Sequence, residues 1–309
     1  MNTKNNAILF MFILLCCLVQ SGMAETRQLL IDADTGNEVD DLYAIVRLLI
    51  EPSVDIVGLN STQWQASHWA VANTLEESHR LNGMLLSYLN MGHIRHPRGA
   101  HARLYDWGQD IAQHSAAAYY IIDQAHATGE NEKLNVMCMG ALTNMASALL
   151  IDPTIAPKIR LYFLGTSIEF DRKVWRKLDF NCMMDPRALH VVLDTKELET
   201  YVMPVNVASA MSFDMKTLSE QFKDQHPLQH FLYQRWVDHM DGGRYHRTIW
   251  DLGLVGAFLY PDKVSVKTIE TPPENVRRQV TVYESIDKDL IISDFYQSVA
   301  RYLKQMSQN

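Results

Sequence analysis

Short apolar runs alternate with helically spaced ones along most of the chain. The runs Gln28–Ile31, Val54–Leu59, Leu134–Met139, Ile159–Leu164 and Tyr201–Val205 predict strands. Between them, Asp41–Ile50 sets Leu42, Ile45, Val46 and Leu49 on one helical face. Ser67–Leu81, Ile111–Ala127, Thr143–Leu150 and Pro186–Asp194 predict further helices, and Asp152-Pro153 closes the third of these. Leu85–Leu89 reads as an additional strand. Beyond residue 210 come a helix-rich stretch (Thr217–Met240), a strand pair (Val264–Ile269 and Gln279–Tyr283) and an amphipathic closing helix (Leu290–Met306). This alternation predicts an α/β fold with an open, mostly parallel central sheet flanked by helices. In such sheets ligands bind at the carboxyl ends of the strands. No internal repeat, low-complexity tract or linker interrupts the pattern, so residues 25–309 read as a single domain.

The first 24 residues stand apart. Lys4 is followed by the unbroken apolar run Ala7–Val19, then by small residues at Gly22 and Ala24. These three parts predict a secretory signal peptide at residues 1–24, cleaved after Ala24. Thirteen apolar residues are too few to span a bilayer, which takes about 20, so no stable membrane anchor is expected after cleavage. The mature chain is expected in the periplasm or outside the cell.

Composition sharpens this picture. The 309 residues are 47% hydrophobic and 21% charged, with a formal net charge of −8. Losing Lys4 with the leader leaves 27 basic against 36 acidic residues, a net −9. A chain this acidic lacks the basic stripe that phosphate neutralisation needs, so a nucleic-acid polymer is not an expected partner. Two of four cysteines leave with the leader. Cys138 and Cys182 remain, and two buried free thiols suit them better than one isolated disulfide. The oligomeric state stays open, a homo-oligomer included.

The acid is not evenly spread. Asp32, Asp34, Glu38, Asp40 and Asp41 put five carboxylates into ten residues, between the first strand and the first helix. Helix capping accounts for Asp40 and Asp41. It leaves Asp32 and Asp34, on the strand end, without a counter-charge. A hard divalent cation, which takes several oxygen ligands, explains the whole set better. Two known loops do not fit. Counted from Asp32, an EF-hand would need Gly at the sixth position and Glu at the twelfth, where Asn37 and Tyr43 stand. An aspartyl-phosphate loop, D-x-D-x-[TV], would need Thr or Val where Gly36 stands.

The arrangement D-x-D-x-G-x(n)-D-D directly after the first strand resembles the nucleoside hydrolases of the inosine–uridine preferring type. Their commoner spacing is D-x-D-x-G-x-D-D, and this chain carries two extra residues, Asn37 and Glu38. Three later segments extend the resemblance over roughly residues 28–262. Gly140-Ala141-Leu142-Thr143-Asn144 is similar to the family's G-x-L-T-N element. Asp179-Phe180-Asn181-Cys182-Met183-Met184-Asp185-Pro186-Arg187-Ala188 is similar to E-F-N-x-x-x-D-P-x-A, with Asp179 one methylene shorter than the usual Glu. Trp250-Asp251-Leu252 is similar to the late H-D-P or W-D-P element, with Leu252 in place of Pro.

The resemblance implies a nucleoside hydrolase-like, Rossmann-like fold and Ca²⁺-dependent hydrolysis of the N-glycosidic bond of ribonucleosides. The implied Ca²⁺ ligands are Asp34, Asp41, the Thr143 carbonyl and Asp251. Asp34 is the implied general base, supported by Asp32 from behind. Asp40, Asp179 and Asn181 would hold ribose hydroxyls, and Gln65 stands near where the family has a substrate-binding Asn. Trp250 in place of His is similar to the purine-preferring type, where an indole stacks on the base. Displacement by water would be direct, without a covalent sugar–enzyme intermediate.

The acid that protonates the leaving base is not legible. His93, His96 and His101 lie in one unpatterned stretch, Met91–Tyr105, that could form a mouth over the pocket or, less readily, a zinc site. Lys173, Arg176 and Lys177 could meet a phosphate or a modified sugar, although such charges are more often solvated. Two other functions remain open on this sequence: an N-glycosidase acting on another ribosyl or modified nucleoside, and a non-catalytic Ca²⁺-dependent binder of a sugar or nucleoside.

Overall fold

The computed structural model describes residues 26–105 and 110–308. The predicted signal peptide lies outside the described residues. Along the chain the elements are β1 (Arg27–Ala33), α1 (Asp40–Leu49), β2 (Val54–Ser61), α2 (Thr74–Tyr88), α3 (Ala116–Ala127), β3 (Leu134–Cys138), α4 (Thr143–Ile151) and β4 (Ile159–Leu164). Then follow a small hairpin of β5 (Ser167–Glu169) and β6 (Val174–Arg176), α5 (Phe180–Met184), α6 (Pro186–Asp194), β7 (Glu199–Met203) and α7 (Val205–Ala208). The last part comprises β8 (Ser212–Asp214), α8 (Met215–Phe222), α9 (Pro227–Val237), β9 (His246–Thr248), α10 (Trp250–Leu259), β10 (Val264–Glu270), β11 (Gln279–Ile286) and α11 (Lys288–Met306).

Seven strands form one sheet in the order β10-β11-β7-β4-β3-β1-β2. All neighbours are parallel except the β10–β11 pair at one edge. The predicted α/β architecture is therefore observed. Both faces are covered: Leu29, Ile31 and Ala33 of β1 enter one apolar core and Leu30 the other. That two-sided burial is why the strands read as near-continuous apolar runs. Each fully buried large side chain, such as Tyr43, Phe163 or Phe295, contributes about 1.5–3 kcal/mol of transfer free energy.

The chain leaves β1 to one side for β2 and returns to its other side for β3. This switch opens a crevice at the strand ends. Parallel register sets Asp32 level with Asn60 of β2 and Cys138 of β3, so the loops after all three strands meet there.

Several predicted boundaries move. Leu85–Leu89 is not a strand but the end of α2, whose Leu81, Leu85 and Leu86 are buried at helical spacing. A short apolar run alone does not separate the two states. Residues 65–73 are turns rather than the start of that helix, which Asn73 caps through its side chain. Ser115 likewise caps α3 by accepting from the Ala118 N–H, so this helix starts later than its apolar pattern. All ten residues of α1 are buried, beyond the single predicted face. The apolar α10 packs on it, and its one cation, Arg47, is neutralised by Asp294 at 2.6 Å and Glu51 at 2.8 Å. Cys138 and Cys182 are both buried and free. Among the described residues no helix is long and apolar enough to cross a membrane.

Candidate active site

The β1–α1 loop is pinned before it bears any chemistry. The Thr35 hydroxyl donates to Asn82 Oδ1 at 2.6 Å, and the Gly36 N–H to Ser78 Oγ at 3.3 Å, both on α2. The Asn37 N–H closes a turn onto the Asp34 carbonyl at 2.8 Å. A Cβ on Gly140 would stand 2.8 Å from Asp34 Cβ and 2.6 Å from Thr62 Cγ2. Glycine there lets the β3–α4 turn close against Asp34.

The loop delivers Asp34, Asp40 and Asp41 to one point, and the first turn of α10 delivers Asp251. Asp34, Asp41 and Asp251 are each at most 2% exposed and Asp40 is 6% exposed. Carboxylate oxygens of Asp40, Asp41 and Asp251 all lie within 4.8 Å of one another. Asp34 Oδ2, Asp41 Oδ1 and Asp251 Oδ1 are buried without any hydrogen-bond partner among the described residues. Burial first, then mutual repulsion, pushes Asp34, Asp41 and Asp251 well above the usual carboxylate range. Burying four carboxylates together, three of them with an unpartnered oxygen among the described residues, is costly. A divalent cation with oxygen preference would satisfy the orphaned oxygens together, so these residues fit one. Asp32 sits behind them, fully buried, accepting from Asn144 Nδ2 at 2.9 Å. Burial raises its carboxyl to about 6, with Asn144 and Asn60 opposing.

In front of the cluster lies a cavity of about 330 Å³. Asp34, Asp40, Asp41 and Asp251 form its acidic floor, with Asp179, Asn181, Trp250, Asn37 and Glu38 around it. Asp179 caps α5 by accepting from the Cys182 N–H at 3.2 Å and also takes the Thr166 N–H at 2.6 Å. Asn181 donates both amide hydrogens to strand-end carbonyls, Met139 at 2.6 Å and Leu164 at 2.9 Å, which leaves its oxygen for the cavity. Trp250, at the start of α10, forms an aromatic wall. Trp69 and Phe180 form another, stacked at 5.4 Å and 18°. Of the two extra loop residues, Asn37 holds this wall, its Oδ1 accepting from Trp69 Nε1 at 3.0 Å, while Glu38 is raised to about 7 by burial together with Asp40.

Eight of the ten sequence-predicted residues thus lie on or directly behind this cavity. Thr143 stands further back. It is fully buried, its hydroxyl donating to Asp185 Oδ2 at 2.7 Å and accepting from Gln63 Nε2 at 3.3 Å, and it does not line the cavity. Gln65 does not reach the cavity either. It is exposed, and its Oε1 accepts from Thr74 Oγ1 at 3.2 Å. The predicted substrate contact from Gln65 is therefore corrected: Trp69, in the turns that follow, occupies that side.

The predicted histidine mouth is elsewhere as well. His93 and His96 line a separate surface hollow, where His96 stacks on His79 at 4.8 Å, and His101 is exposed. Among the described residues only Asp40, Asp41 and Asp251 form a metal-sized group, so the three histidines make no zinc site. Arg176 pairs with Glu169, Lys177 with Glu274 at 2.8 Å, and Lys173 occupies a left-handed turn position. None of the three lines the cavity. Trp69 was not readable from its neighbourhood, which has helical composition but no helix. Phe180 was visible inside the Asp179-Phe180-Asn181 segment without any sign of its stacking partner.

The sequence profile described as inosine-uridine preferring nucleoside hydrolase matches residues 29–293. The chain belongs to that family. Family members are N-ribohydrolases, a class of glycosidase. A curated relative, the pyrimidine-specific ribonucleoside hydrolase RihB of Escherichia coli O1:K1 / APEC, is 26% identical over 180 residues. That match covers 54% of this chain and 56% of RihB, so the chain spans little more than half the length of the curated relatives it matches. A plant nucleoside hydrolase, the PpNRh1 enzyme, superposes with a TM-score of 0.70 at 16% identity, covering 88% of this chain and 98% of the other. A purine-preferring ribonucleoside hydrolase from Gardnerella vaginalis gives 0.67 at 16% identity, with 89% and 99% covered. At these identities the superpositions establish the fold.

Proposed function

We propose that this chain is a Ca²⁺-dependent N-ribohydrolase that cleaves ribonucleosides, purines preferentially, to free base and ribose. The observation that carries it is the buried carboxylate cluster with orphaned oxygens, facing a cavity that combines diol acceptors with aromatic walls. Asp34, Asp41 and Asp251 would hold the cation, with the Thr143 carbonyl as the further ligand implied by the family. Bound Ca²⁺ offsets the clustered charge and acidifies water at the site.

The chain's own groups do the rest. Asp34, on the strand end beside the position of the cation, would take the proton of the attacking water. Asp32, held by Asn144, fixes the strand end from which Asp34 projects. Asp40, Asp179 and the Asn181 oxygen accept from the ribose hydroxyls and hold C1′ over the acidic floor. Negative charge around that centre stabilises the oxocarbenium-like transition state. Trp250 faces the base, and its indole area favours the larger purine ring. Export through residues 1–24 would place the domain 25–309 in the periplasm or outside the cell.

A substrate panel tests this: release of base and ribose from inosine, guanosine, adenosine and uridine, with and without chelator. Turnover that chelation abolishes and Ca²⁺ restores is expected. Binding without release from any nucleoside would leave a non-catalytic binder. Trp250→Ala is expected to reduce kcat/KM for purine nucleosides most; equal loss across bases contradicts the stacking role.

A further inference from the structure

Residues 93–103 read H-I-R-H-P-R-G-A-H-A-R, three arginines and three histidines without an acid, in a chain whose formal net charge is −8. The first half of this stretch runs along the open side of β2. The Leu59 N–H donates to the Arg95 carbonyl at 2.9 Å and the Ser61 N–H to the Pro97 carbonyl at 3.2 Å. With its backbone fixed there, the stretch meets α2 and α3 around a surface hollow of about 500 Å³. His79 of α2 lines it together with His93, Arg95, His96 and Arg98, and Asp123 of α3 is the one carboxylate among its lining residues. The hollow shares no residue with the acidic cavity.

Its positive charge is not matched from within. Arg98 is held by Glu76 at 2.6 and 3.1 Å, which fixes it in place. Arg95 is exposed, its guanidinium lies over the Tyr120 ring at 5.8 Å, and neither it nor Asp123 forms an ion pair among the described residues. His96 stacks on His79 at 4.8 Å and 19°. Burial first, then Arg98 and His96, hold the His79 imidazole below its usual range. Basic groups from three segments thus crowd one hollow, and an anion relieves them together. The acidic cavity has the opposite sign: its four carboxylates repel a doubly charged anion that this hollow attracts.

We propose that the hollow is a binding site for a phosphoryl dianion, held by the Arg95 guanidinium and by imidazole N–H groups of His93 and His96. The planar guanidinium offers two parallel N–H bonds to two of the oxygens. The imidazoles reach the third, and each has an N–H to donate even when neutral. A carboxylate, with two oxygens and one charge, would use fewer of these donors. The Tyr120 face beneath Arg95 steadies the guanidinium from the other side. The ligand class is phosphate or a phosphate monoester, which a soluble metabolite and a lipid headgroup can both present.

The test uses the full-length chain at pH 7 without Ca²⁺, titrated with inorganic phosphate. Calorimetry is expected to show one saturable site with Kd of about 1 mM or below, weakening as salt is added. The imidazole NMR signals of His93 and His96 are expected to move, and that of His190, on α6, to stay. Arg95→Gln and His93→Asn alter exposed side chains and are expected to weaken binding by about tenfold or more. Nucleoside hydrolysis in Ca²⁺ is expected to keep the parent rate in both variants. Glycerol 3-phosphate binding as well as inorganic phosphate assigns the site to soluble monoesters. Capture by phosphatidylcholine vesicles only when they contain phosphatidic acid, lost in Arg95→Gln and without a response to soluble phosphate, assigns it to a lipid headgroup. No binding in either arm, or equal binding by the parent and both variants, overturns the proposal.

Discussion

Asp32→Asn separates the energetic cost of the acidic site from its chemistry. Asp32 is fully buried and carries one oxygen, Oδ1, without a partner among the described residues. Its carboxyl is raised from 3.8 to about 6, chiefly by burial. A carboxyl raised on folding makes the native state hold its proton more tightly than the unfolded chain does. The native state then carries no penalty from this group below pH 4, an increasing one between pH 4 and 6, and a constant one above. At about 1.4 kcal/mol per unit, the penalty at neutral pH is about 3 kcal/mol. Asparagine removes it. The amide oxygen keeps the bond from Asn144 Nδ2, and the new N–H group faces Asn60, whose side-chain oxygen also lacks a partner among the described residues. In chelator, the variant should therefore melt higher than the parent at pH 7.5, by roughly 5–10 °C for a chain of this size, and by almost nothing at pH 4. Paired thermal melts at the two pH values measure this directly. A variant that melts lower at pH 7.5, or that gains equally at both pH values, refutes the reasoning.

The other expectations concern the cluster in front of Asp32. Asp34→Asn should lower kcat by about 10²–10⁴-fold with a smaller change in KM, as for loss of a general base; steady-state kinetics showing near-normal kcat remove Asp34 from that role. Because Asp34, Asp41 and Asp251 are all raised, protons compete with a cation for them. Ca²⁺ should raise the melting temperature more at pH 7.5 than at pH 5, and an equal rise at both would separate the cation from these carboxylates. Gly140→Ala places a methyl against Asp34 and Thr62 and should cost about 1–3 kcal/mol, read as a lower denaturant midpoint together with weaker Ca²⁺ binding. Unchanged stability would show that the turn has room to move.

Local order along the chain determined much of this protein. Strands buried on both faces appear as apolar runs, so β1, β2, β3, β4 and β7 were readable with their sequence of connections. Asp32, Asp34, Asp40 and Asp41 fall within ten residues of one strand end, and their crowding alone called for a counter-charge. Asp179, Asn181 and Asp251 were legible only through resemblance, since one carboxylate or amide in a loop has no periodicity to mark it. Tertiary structure decided what reaches the cavity. Gln65 turns to Thr74 while Trp69, four residues on, reaches the wall because Asn37 holds its indole nitrogen. His96 pairs with His79 in a distant hollow. Glu38 meets His239 and Arg247 although about 200 residues of chain separate them. The physical reason is one of range. Burial and helical or strand period act between near neighbours and leave a trace in the sequence, whereas the partners of a lone polar side chain are chosen by which loops the sheet order brings to the same strand ends.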